Sequence, residues 1–242
     1  MTRTELLKTA KPILFNAEMV RAILDGRKTV TRRVIKPQPI FNKPFWELGG
    51  AAWSDNIDTI IPVPGHSLYN RMPFKPNDIL YVRETWFYES HMEDMTAGEP
   101  DLPSGCYSTR YVYKASNPDY PVDVGVGANG WRPSIHMPKE AARIFLRVKD
   151  VRVEQLQNII TGDYRTPLNI NREGLLDLCL KCPNYSGNCK DFIQNDSSRF
   201  INGFIDLWNS TVKKSDLDRY GWAANPWVWV IEFEKLEVDY DT

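Results

Sequence analysis

Residues 24–37 read LDGRKTVTRRVIKP. Five of the ten residues from 27 to 36 are basic (Arg27, Lys28, Arg32, Arg33 and Lys36) and none is acidic, in a chain of net charge −1. Just upstream, NAEMVRAILDG carries the marks of a short helix. Asn16 caps it, Met19, Val20, Ile23 and Leu24 form an apolar stripe, and Gly26 supplies the left-handed stop. Just downstream, KTVTRRVI is rich in β-branched residues and reads as extended. The basic run is then either a solvated surface strand or the floor of a site for something anionic or strongly polar.

Further out, NDILYVRETWFY predicts a strand opened by an Asn77-Asp78 turn, and STRYVYKA predicts another. A long β-type run covers 144–153, helix and turn follow from 156 to 174, and INGFIDLWNST predicts an amphipathic helix with Ile201, Phe204, Ile205 and Trp208 on one face. NPWVWVIEFEKLEV closes the chain as a strand. Between these elements lie excursions at about 37–76, 89–130 and 175–199. The first is rich in Pro, Gly and Asn and is expected to hold little regular structure. Strands separated by loops and short helices, with no regular strand–helix alternation, predict an α+β fold: a small mixed β-barrel with packed helices. No linker divides it, so one domain over 1–242 is expected.

The chain of 242 residues is 42% apolar and 25% charged, with eight Trp. That is enough for one well-cored domain and an aromatic interior or stacking surface. Its near-neutral charge argues against coating duplex DNA, which needs many phosphate contacts over a broadly basic face. The N-terminal residues lack the pattern of a secretory signal, and no apolar run has the length of a membrane span. A cytoplasmic protein without a membrane partner is expected, its cysteines being thiols or metal ligands before disulfides.

Gly26, Lys28, Thr31 and Arg33 form the first chemical constellation. The glycine lets backbone approach a ligand. A lysine whose pKa is depressed by burial or by cations can act as a base, and the threonine hydroxyl can be a nucleophile or a ligand donor. On a regular strand Lys28 and Thr31 point to opposite faces, so a shared site needs a loop or bulge between them. A basic strand flanking a turn explains the same residues.

GRKTVTRR fits the pattern G-x-K-x-x-T-x-R, and with DILYVRETW, WRPSIHMPKEAARIFLRVKDVRVEQLQNI, NREG and YGWAANPWVWVIEFE the chain resembles the ASCH domain family of the PUA-like superfamily. The likeness is to the longer members common in phages and prophages, and it leaves aside the first two excursions and the cysteine cluster. It implies a small β-barrel with a cleft lined by the motif. ASCH domains were proposed to bind RNA, and some small members remove the acetyl group from N(4)-acetylcytidine with a Lys, a Thr and a downstream Glu. The resemblance carries those roles onto Lys28, Thr31 and Glu173. It requires no cofactor for the chemistry.

Four further features stand out. In YVRETW, a strand puts Glu84 and Trp86 on one face and Arg83 on the other. They either read and stack a base or form a core Trp with an ion-paired Glu. WRPSIHMP offers Arg132, Ser134 and His136 as a substrate-contacting loop, or as a rigid, extended entry to the next strand. Cys179, Cys182 and Cys189 have spacing for a structural zinc whose fourth ligand must come from elsewhere, or they are free thiols. Trp227 and Trp229 share a strand face and are expected in the core.

These readings converge on a protein that binds RNA or a modified nucleoside in a cleft around the motif. Two alternatives stand beside it. One is an amidohydrolase acting on N-acylated nucleosides through Lys28, Thr31 and Glu173. The other is a phage accessory protein working through protein contacts, with partners the sequence does not name.

Overall fold

The computed structural model describes residues 2–42, 45–48, 51–54, 59–60, 62, 64, 67–92, 107–119, 130–160, 169–175 and 197–238. In chain order come α1 (Arg3–Thr9), β1 (Lys11–Leu14), α2 (Ala17–Leu24), β2 (Val30–Val34), β3 (Ile40–Asn42), β4 (Phe45–Leu48), β5 (Ala51–Ser54), β6 (Thr59–Ile60), α3 (Ser67–Arg71) and β7 (Ile79–Arg83). They are followed by β8 (Trp86–Met92), β9 (Tyr107–Tyr113), β10 (Phe145–Gln155), α4 (Ser197–Thr211), α5 (Leu217–Tyr220) and β11 (Trp227–Lys235). The fold is α+β. It divides into two compact units, one of Met1–Arg21, Leu80–Phe145 and Glu237–Thr242, the other of Ala22–Ile79 and Leu146–Leu236.

In the first unit α1 opens with a capping box: Thr2 accepts from the Glu5 N–H while Glu5 accepts from that of Thr2, which satisfies two otherwise orphaned donors. β1 pairs in parallel with β7, aligning Ile13 with Val82. β8 and β9 form an antiparallel hairpin that aligns Trp86 with Tyr113. The expected single strand through YVRETW is two strands, because β7 ends at Arg83 and the backbone of Trp86 pairs instead with Arg132, at 3.2 and 2.7 Å. WRPSIHMP is not extended. Pro133 and Pro138, with fixed φ, each lead into a 3-10 turn, at Ser134–His136 and Lys139–Ala141.

In the second unit β10 pairs antiparallel with β11, β11 with β2, and the far end of β10 with the short β6. The expected barrel is absent: among the described residues no pairing closes these strands into a ring. Beyond β2 the chain runs into Pro37 and Pro39, whose nitrogens donate nothing to a ladder. The first excursion is more regular than its composition suggests. β3, β4 and β5 form an antiparallel meander in which Phe41 aligns with Trp46, and Trp46 with Trp53. Its Pro and Asn residues punctuate short strands where a continuous loop was expected.

Val30, Val228 and Val230 on the sheet meet Leu156, Ile159, Ile170, Leu175, Phe204 and Trp208 in one apolar cluster. α4 supplies Phe204 and Trp208 to it at helical spacing, with Ile201 and Leu207 at its margin. Trp227 and Trp229 are buried, as their shared strand face predicts. Among the described residues no helix is long and apolar enough to cross a membrane.

Candidate functional site

The position of Lys28 follows from how α2 ends. Asn16 Oδ1 accepts the Met19 N–H at 2.8 Å and starts the helix; Gly26, at φ +72°, ends it. The chain then folds back, and the N–H groups of Arg27 and Lys28 both donate to the carbonyl of Ala22 at 2.9 Å. Thr29 and Val30 donate to the carbonyl of Arg172 at 2.9 and 3.0 Å. Two segments distant in sequence, 28–30 and 170–175, are thereby laced together by backbone before any side chain is considered.

Between them lies a buried ion cluster. The Lys28 side chain has no exposed surface. Its Nζ donates to the Val30 carbonyl at 2.8 Å, the Glu173 carbonyl at 3.0 Å and Glu173 Oε2 at 2.9 Å. Three acceptors match the three donors of an ammonium group. The other carboxylate oxygen, Oε1, accepts from Arg32 Nη1 at 2.5 Å. Gly174 makes this approach possible. It sits at φ +91°, and a Cβ there would lie 2.7 Å from Ala22 Cβ and 3.2 Å from Lys28 Cβ.

From Arg32 the charges continue along one face of the sheet. Arg32 Nη2 lies 3.6 Å from Glu154 Oε2, and Arg152 Nε bonds Glu154 Oε1. Arg152 Nη1 is 3.4 Å from Asp150 and 4.0 Å from Glu232, whose other oxygen is 2.6 Å from Arg172 Nη2. Among the described residues the buried Nε of Arg32 has no hydrogen-bond partner. Thr31 and Arg33 alternate onto the other face of β2, opposite Ile231 and Trp229. Thr31 is buried.

The electrostatics of the cluster are asymmetric. Burial pushes the Lys28 ammonium below the usual lysine range; Glu173 opposes this, while Arg33 and Arg32 add to it. Burial alone would raise Glu173, but the charges of Lys28 and Arg32 and their hydrogen bonds outweigh it and hold the carboxylate below its ordinary value. The group disposed to change charge is the lysine. Burial lowers Arg33 as well, with Glu173 opposing.

Arg83, Glu84, Trp86 and Arg132 gather in the first unit and form a cluster there. Glu84 is buried and paired with Arg143, whose Nε and Nη2 reach its two oxygens at 2.9 and 3.0 Å. Arg143 also donates to Ser116 Oγ at 2.8 Å and lies 4.1 Å above the Tyr113 ring. Burial raises Glu84 above the ordinary carboxylate range, with Arg143 opposing. Arg132 sits over the buried Trp86 ring at 5.3 Å. Arg83 donates to the carbonyls of Met137, at 3.1 Å, and of Ile135. Ser134 is half-buried and His136 is exposed at the surface of its 3-10 turn. This geometry matches an ion-paired Glu and a core Trp.

The participants that the sequence alone does not single out are Arg32, Glu154, Arg152, Asp150, Arg172 and Glu232 in one cluster and Arg143 in the other. Arg32 carried a signal, since it belongs to the basic run and shares the strand face of Val30 and Val34. Glu154 and Arg143 carried none beyond being charges beside apolar β-type residues. Cys179, Cys182 and Cys189 lie outside the described residues. Among those described, no group of three or more His, Cys, Asp or Glu is placed to hold a metal ion. Neither protein-family models, nor curated proteins, nor solved structures match this chain.

Proposed function

We propose that this chain is an ASCH-type, PUA-like protein whose site around Lys28, Thr31, Arg33 and Glu173 takes a modified nucleoside or an RNA element. The observation that carries this is the meeting of Lys28 and Glu173, 145 residues apart, in a buried ion pair. The resemblance assigns functional roles to these two residues, and a glycine with no room for a Cβ fixes their approach. Purified protein titrated with N(4)-acetylcytidine, and with a short RNA bearing it, tests the reading. Saturable binding that Lys28→Ala abolishes supports it; equal behaviour of both proteins counts against it.

A second reading, amide hydrolysis at the same site, is favoured by the lowered pKa of Lys28 beside a carboxylate that stays ionised. Lys28 in its neutral form takes a proton from Thr31 or from water, and the oxygen so formed attacks the acyl carbon. Arg33 or backbone N–H groups near Gly26 stabilise the oxyanion. The C–N bond then breaks, and the proton held by Lys28 passes to the leaving amine, with Glu173 orienting the lysine throughout. With Thr31 as nucleophile, water subsequently releases the acid from the ester. Chromatography of N(4)-acetylcytidine incubated with the protein reads this directly, as loss of substrate and appearance of cytidine.

A further inference from the structure

Glu173 is held from both sides: Oε2 by Lys28 at 2.9 Å and Oε1 by Arg32 at 2.5 Å. We propose that Arg32 is a positioning residue, which keeps the Glu173 carboxylate ionised and in place while Lys28, on the other oxygen, gains and loses a proton. The functional weight of this rests on the reading of the site given above, but the arrangement itself is tested without any substrate.

A buried Lys–Glu pair standing alone tends to neutralise as a unit, because an isolated carboxylate in a dry site is too costly to leave charged. Here the carboxylate has a second cation on its other edge. Arginine is the residue for that duty, since its guanidinium keeps its proton under conditions where a buried lysine does not. Arg32 is in turn fixed by Glu154, which Arg152 holds from the next strand position but one. The charged groups that act on Lys28 are Glu173 from the 170–175 segment and Arg32 and Arg33 from β2; Glu154 and Arg152 from β10, Glu232 from β11 and Arg172 carry the ion pairs onward from Arg32. Arg32 and Arg33 both oppose the lysine's positive charge, whereas only Arg32 bonds directly to the carboxylate it would leave behind.

Proton traffic is then confined to one atom, Lys28 Nζ. Loss of its proton leaves two donors for the three acceptors now around it, and exposes a lone pair to a fresh donor such as a hydroxyl or a water. Arg32 need not touch the ligand for this to happen.

Carbon-detected NMR titration of the whole protein tests the proposal, with Lys28 Cε and Glu173 Cδ followed from pH 4 to 11 and assigned through Lys28→Arg and Glu173→Gln. In the wild type the Glu173 signal should stay at its carboxylate position on both sides of the Lys28 midpoint. A shift to the carboxylic-acid position while Lys28 is neutral would overturn the proposal. Arg32→Gln should let the Glu173 signal move towards its carboxylic-acid position as Lys28 turns neutral, because the second cation on the carboxylate is gone. Arg32→Lys, which keeps a cation there, should hold the Glu173 signal nearer its carboxylate position than Arg32→Gln does. A Glu173 signal in Arg32→Gln that stays at the carboxylate position throughout, as in the wild type, contradicts the proposal. Should Arg32→Gln fail to fold, the wild-type Glu173 signal still decides. A protein that neither binds nor hydrolyses acylated nucleosides but shows these shifts would sink the proposed function alone.

Discussion

Lys28 Nζ lies 2.9 Å from Glu173 Oε2, and both side chains are shut away from solvent although 145 residues separate them. A buried charge pair of this kind is weak evidence for stability, since desolvation consumes most of its Coulomb attraction. Its members, however, are not equivalent, and their removal should have unequal consequences.

Lys28→Met leaves Glu173 bonded to Arg32, whereas Glu173→Gln leaves Lys28 and Arg32 facing one another. Urea denaturation at neutral pH should therefore show Glu173→Gln to be the more damaging, by on the order of 3–5 kcal/mol against about 1–3 kcal/mol for Lys28→Met. The reverse order would mean that Arg32 does not hold the carboxylate.

Two buried glutamates should respond to pH in opposite senses. The folded pKa of Glu173 lies below the ordinary 4.5, so the stability it contributes is fully present above 4.5 and is lost as pH falls through the folded value. Glu84 lies above 4.5, so its contribution is fully present below 4.5 and is lost as pH rises through its folded value. Denaturation curves from pH 3 to 8 should show Glu173→Gln with a shallower loss on the acid side. Glu84→Gln should lose the component that declines above 4.5.

Gly174 and Gly26 both have positive φ, yet only Gly174 is crowded. Gly26→Ala should cost about 1–2 kcal/mol, the strain of a left-handed side-chain-bearing residue. Gly174→Ala adds an approach of 2.7 Å to Ala22 Cβ and 3.2 Å to Lys28 Cβ, and should cost roughly 1–3 kcal/mol more. It should also disturb the Lys28 midpoint, which Gly26→Ala should leave closer to wild type. Equal destabilisation by both variants would argue that the 170–175 segment yields freely.

If Lys28 acts as a base, hydrolysis requires the neutral amine. The rate should fall as pH drops through the lysine's folded pKa, which lies below the ordinary 10.5. A pH–rate profile flat across that region would remove Lys28 from the chemistry.

The helix at residues 17–24, its glycine stop and the strand behind it were legible in the sequence because each rests on local chemistry: a cap, a stripe, a left-handed turn. So were the long strands at 145–155 and 227–235, whose apolar residues meet one core. The Lys28–Glu173 contact came from resemblance, since nothing local joins residues 145 positions apart. Arg32 was passed over for Arg33 because basic neighbours in a run look alike until the pleat assigns them to opposite faces. The break at Glu84 was hidden for a related reason: a backbone pairing of Trp86 with Arg132, 46 residues on, overrides a continuous strand pattern.

Isothermal titration of the purified protein with N(4)-acetylcytidine, which registers heats of binding and of hydrolysis alike, tests for a nucleoside site at Lys28 and Glu173. Lys28→Ala, checked for a native circular dichroism spectrum, runs beside it. Saturable or sustained heat in the wild type and none in the variant is the predicted result. Heat that persists undiminished without Lys28, or its absence from the wild type for both this nucleoside and an RNA that carries it, would contradict a nucleoside site at Lys28 and Glu173.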